Sequence, residues 1–99
     1  MVSKIEFTPQ AVADLQEIHA HIATSDASAA QRVISRIRQV IEIFEGFPLL
    51  GRNGLVEGTR EFAIAGLPYT IVYRWLPSSE RIEILTIVHQ KKLYPPEKA

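Results

Sequence analysis

The side chains that could do chemistry lie in the second half of the chain. They are Arg52, Arg60, Arg81, His89, Lys91, Lys92 and Tyr94. Together they hold the parts needed to cleave RNA through its own 2′-hydroxyl. That reaction wants a base for the hydroxyl proton, an acid for the departing oxygen and cations for the charge that builds on the phosphate. His89 or Tyr94 could move protons, and Arg60 could supply charge beside them. Arg52, Arg81, Lys91 and Lys92 could bind phosphate. The same residues also admit a plain structural reading, in which surface cations solubilise a sheet edge and the histidine packs.

Other chemistries drop out. There is no cysteine, which removes thiol nucleophiles, disulfides and cysteine-ligated metals together. His19 and His21 are two apart on a helical stretch and project about 200° apart, so they cannot share an ion; no metal and no cofactor are expected. No serine sits in a G-x-S-x-G elbow and no glycine-rich phosphate loop joins a strand to a helix. Eleven basic and eleven acidic residues give a formal charge of zero, which argues against strong general affinity for nucleic acid. The charge is uneven, at −2 over residues 1–49 and +2 over residues 50–99. With 46% apolar and 22% charged residues in 99 positions, the chain reads as one folded domain, 1–99. No apolar run is long enough to cross a bilayer and no hydrophobic leader is visible, so a cytoplasmic protein is expected.

The elements that must position these residues are clear from local signals. Residues 2–7 alternate as a short strand. Thr8-Pro9 stops it and caps a helix over 9–24, where Ala11, Leu15, Ile18 and Ile22 recur at helical spacing. Ser25-Asp26 caps a second helix, whose stripe Ala30, Val33, Ile34, Ile37, Val40, Ile41, Phe44 runs to Gly46 and Pro48. The short connection predicts an antiparallel helical hairpin. A glycine-rich loop over 46–58 follows, then strands over 59–65, 69–76 and 81–89 separated by tight turns. The fold class is α+β, in the order β-α-α-β-β-β, with an antiparallel sheet packed on the two-helix hairpin. The last two strands are apolar at both parities, with Leu85 and Ile87 opposing Ile84 and Val88. That pattern predicts a second sheet face needing cover from a partner chain or a second copy.

Four ordered segments carry a resemblance: Phe47-Pro48-Leu49-Leu50-Gly51-Arg52, Gly58-Thr59-Arg60-Glu61-Phe62, Leu67-Pro68-Tyr69-Thr70-Ile71-Val72-Tyr73-Arg74 and Ile82-Glu83-Ile84-Leu85-Thr86-Ile87-Val88-His89-Gln90. With Phe7-Thr8-Pro9-Gln10-Ala11, Asp14-Leu15 and Ile18, they resemble the RelE/ParE superfamily of bacterial type II toxins over nearly the whole chain. The resemblance implies a toxin neutralised by a cognate antitoxin, with operator DNA reached only through that antitoxin. It also implies a target that divides the family: DNA gyrase for ParE-like members, ribosome-bound mRNA for RelE-like nucleases. Arg60 matches a phosphate-binding position of the nucleases, His89 a catalytic histidine of some, and Tyr94 an aromatic position that often follows it. Neutral charge and a 51–58 loop holding Arg52 against Glu57, without a lysine patch, favour the ParE-like reading. The RelE-like nuclease and a non-toxic homodimeric binding module are the alternatives. Tyr73, Trp75 and Leu85 are expected near the core or at the antitoxin interface.

Overall fold

The computed structural model describes residues 3–92. The elements are β1 (Lys4–Phe7), α1 (Pro9–Ala23), α2 (Ala27–Ile43), β2 (Arg52–Asn53), β3 (Arg60–Ala63), β4 (Tyr69–Leu76) and β5 (Arg81–His89), with one 3₁₀ turn at Pro77–Ser79. Both helices start where their caps dictate. Thr8 is extended and its hydroxyl oxygen accepts from the Ala11 N–H at 3.1 Å, with Pro9 in the first turn. The Asp26 carboxylate accepts from the Ala29 N–H at 3.0 Å. Each cap satisfies an N–H that the helix itself leaves unpaired.

The helical hairpin packs on one face of a five-stranded sheet of order β1-β5-β4-β3-β2. β2 through β5 form an antiparallel meander, as expected. β1 joins beside β5 in parallel, so the sheet is mixed. The hairpin carries the chain away from β1, and the last strand returns along it. Between the layers lies one core, built from Leu15, Ile18, Ile37, Val40, Ile41 and Phe44 against Ile71, Tyr73, Ile82, Ile84 and Ile87. Phe44 anchors it, stacking on Tyr73 with centroids 4.1 Å apart and meeting Phe62 edge-on at 5.9 Å.

The expectation of two apolar sheet faces is corrected by a β-bulge. Val72 pairs with Thr86 but Tyr73 pairs with Ile84, so Leu85 is an extra residue on β5. One extra residue reverses the alternation, and Ile84 and Ile87 therefore both face the helices and are buried. The opposite face carries Glu61, Ala63, Thr70 and Val72, with the Arg74–Glu83 cross-strand ion pair. Arg74 also holds the Glu83 carboxyl below the usual carboxylate range by its hydrogen bond. This open face is mixed rather than apolar.

The bulge falls where β1 runs out. Beyond Phe7 the edge of β5 is taken over by the start of α1. The Thr8 hydroxyl donates to the carbonyls of Ile84 at 3.0 Å and Leu85 at 2.8 Å. The Asp14 carboxylate accepts from the Thr86 hydroxyl and, at 3.0 Å, from the Ile87 N–H. Side chains of α1 thus replace a strand in satisfying the edge. Among the described residues, no helix is long and apolar enough to cross a membrane.

Candidate functional site

Three side chains from the sheet tie down the loop between α2 and β3. The Tyr73 hydroxyl donates to the Pro48 carbonyl at 2.9 Å and accepts from the Gly51 N–H at 2.8 Å. Burial pushes that hydroxyl above its ordinary pKa, and the Gly51 bond and the Arg60 charge offset this only in part. Gly51 is required here, because a Cβ would stand 2.8 Å from Tyr73 Cε1 and 3.0 Å from the Glu61 carbonyl oxygen. Arg60 donates to the Gly51 carbonyl at 2.6 Å. Glu61, buried at 7% exposure, accepts from the Leu55 N–H at 3.0 Å and from Arg52 Nη2 at 3.3 Å. A buried carboxylate is stable when donors surround it in this way.

The fixed loop walls a groove of about 310 Å³ on the open face. Its floor is Val72, Ala63 and Glu61; its rims are Arg52 and Leu55 on one side and His89 and Lys92 on the other. His89 pairs with Tyr69 across the sheet and meets its ring edge-on at 5.4 Å. Its Nδ1 accepts from the Lys91 N–H at 3.1 Å, so the neutral ring carries its proton on Nε2, toward which a ligand could accept. Among the described residues, no cluster of three or more His, Cys, Asp or Glu is placed to hold a metal ion.

The groove unites Arg52, His89 and Lys92 from the sequence-based set and leaves the others elsewhere. Arg60 sits opposite Tyr73 in register, on the helix-facing side, and is spent on Gly51. Arg81 is at the far end of β5 from His89, roughly 25 Å along the strand, paired with Glu6 at 2.9 Å. Lys91 is exposed and contributes its backbone to the His89 turn. Tyr94 lies outside the described residues. Of the residues expected near core or interface, Tyr73 is fully buried core. Trp75 is partly buried against that core, with its Nε1 buried and unpartnered. Leu85 is the half-buried bulge residue.

Glu61 also lines the groove and lies outside the sequence-based set. Its signal was present: in Arg60-Glu61-Phe62-Ala63, the alternation that sends Phe62 to the core must send Glu61 to the other face. Pairing with Arg52 depends on the loop path, which local sequence does not encode.

The chain and its fold are matched in known proteins. The family model for the ParE toxin of type II toxin–antitoxin systems (parDE) covers residues 5–94. The chain belongs to the ParE toxin family. A candidate toxin of Sinorhizobium fredii, Y4kP, is 38% identical over 92 residues, covering 93% of both chains. The chromosomal ParDE toxin–antitoxin system from P. aeruginosa superimposes with a TM-score of 0.80 at 22% identity, covering 89% of this chain and 96% of that one. The RelBE2 toxin–antitoxin complex from Mycobacterium tuberculosis gives 0.70 at 19% identity, covering 90% and 99%. The free E. coli toxin RelE, as a double arginine-to-alanine mutant, gives 0.68 at 11%, covering 92% and 86%. At these identities the likeness to the solved structures is one of fold.

Proposed function

We propose that this ParE-family toxin arrests growth by acting on DNA gyrase and that a cognate antitoxin neutralises it. The observation that carries the reading is the dispersal of the cations a nuclease would need. Cleavage of RNA without a metal requires its basic groups to converge on one phosphate. Here Arg60 is held on the other face by Gly51, Arg81 is paired with Glu6 at the far end of the strand, and Arg52 is held by a buried carboxylate. The groove keeps Lys92 as one free cation among the described lining residues, and His89 at its end turns its ring onto Tyr69.

An antitoxin partner fits the solved relatives, since both the ParDE and the RelBE2 structures are toxin–antitoxin systems. The formal charge of zero fits a protein that reaches operator DNA through that partner rather than alone. Gyrase as target places the activity in the cytoplasm.

The test is induction of the protein in cells with labelled precursors of DNA, RNA and protein. Arrest of DNA synthesis with filamentation and intact mRNA is the expected outcome. Immediate arrest of translation with cleaved mRNA would replace this reading with the ribosome-dependent nuclease. Harmless expression would favour a non-toxic homodimeric binding module.

A further inference from the structure

Glu61 stands out as a carboxylate buried at an open-face groove, tolerated there through the donors around it. Its residue is 7% exposed, whereas the Arg52 side chain that pairs with it is 78% exposed. One partner is therefore fixed and the other is held at the groove rim by it. The Leu55 N–H donates to the second carboxylate oxygen, and Gly54 passes so close that a Cβ there would stand 3.2 Å from it. The carboxylate cannot swing away without moving the loop.

We propose that Glu61 is a specificity-determining residue that closes this groove to phosphate. The groove otherwise has cations an anion would use, Arg52 and Lys92, beside Val72; His89 lines its end but turns its ring onto Tyr69, toward the helix-facing side. A phosphate touching Arg52 would approach the Glu61 carboxylate to within about 5 Å, where like charges at the edge of a protein repel appreciably. It would also have to share a guanidinium whose Nη2 already donates to that carboxylate at 3.3 Å. Glu61 thus spends Arg52 on the fold and leaves the groove to ligands that do not carry negative charge. This inference deepens the reading that the protein does not process RNA, and it rests on that reading.

The probe is inorganic phosphate, titrated into the full-length protein and into Glu61→Gln. Binding is followed by NMR at the Arg52 Nε–H, the Leu55 amide and the His89 ring. Glutamine keeps the shape and an acceptor for Leu55 while removing the charge. The expected result is phosphate affinity at Arg52 about tenfold higher in Glu61→Gln than in wild type, with the gain abolished by adding Arg52→Gln. Equal affinity in wild type and Glu61→Gln, including no binding by either, overturns the proposal. If Glu61→Gln does not fold, Glu61→Met is titrated the same way, and equal affinity in that variant and the wild type overturns the proposal. Gyrase takes no part in the titration, so its failure removes the role of Glu61 and leaves the gyrase reading to its own assay.

Discussion

Tyr73→Phe isolates the lock between the core and the functional loop. The substitution keeps the buried ring and its stacking on Phe44 at 4.1 Å. It deletes one hydroxyl, and with it the bonds to the Pro48 carbonyl at 2.9 Å and from the Gly51 N–H at 2.8 Å. A net hydrogen bond contributes about 1 kcal/mol, and a buried partner left unpaired adds to the loss, so about 2–3 kcal/mol is expected for the pair. For a chain of this size that corresponds to a fall in Tm of roughly 10 °C. Denaturant unfolding gives the stability change, and hydrogen exchange gives its location. The Gly51 amide should lose protection while Ile71 and Ile84, in the middle of the sheet, keep theirs up to the new global limit. A loss below about 0.5 kcal/mol with the Gly51 amide still protected would refute the reasoning, because it would mean that the loop is held without Tyr73.

Three further outcomes follow from the same geometry. Gly51→Ala places a Cβ 2.8 Å from Tyr73 Cε1 and 2.9 Å from its hydroxyl; it should destabilise by about 1–3 kcal/mol in denaturant melts. The double variant with Tyr73→Phe should lose less than the sum, since both act on one contact. Asp14→Ala strands the Thr86 hydroxyl and the Ile87 N–H, with a loss of about 1–3 kcal/mol and faster exchange at the Ile87 amide. The raised Tyr73 pKa gives a pH dependence of definite sign. The folded state keeps a proton that the unfolded chain releases near pH 10, so this contribution is full below about pH 10 and is lost as pH rises through the folded value. Tyr69 is raised by burial too, so the diagnostic quantity is the stability gap between wild type and Tyr73→Phe, which should narrow in alkali.

Much of the fold was legible because its signals are local. Thr8-Pro9 and Asp26 cap the helices, and the strands at 69–76 and 81–89 fall between turn residues that fix both ends. What was not legible depends on contacts distant in sequence. The parallel docking of β1 on β5 is decided by the path of the helical hairpin. The bulge at Leu85 is stabilised by Thr8 and Asp14, more than seventy residues away. Missing it made the sheet read as apolar on both faces. The candidate site was half legible for the same reason. His89 and Lys92 follow one another round a turn and stay together. Arg60 has the right residue type on the wrong side of its strand, because Phe62 beside it must face the core. Whether Arg52 is free or paired depends on Glu61, which only the folded loop brings to it.

The central proposal is that this toxin acts on gyrase and that no nuclease site is assembled among the described residues. The most direct test adds the purified full-length protein to gyrase and relaxed plasmid in one reaction, and to ribosomes translating a defined mRNA in another. The account predicts loss of supercoiling or trapped cleaved DNA in the first reaction and intact message in the second. Cut mRNA with unimpaired supercoiling would contradict it.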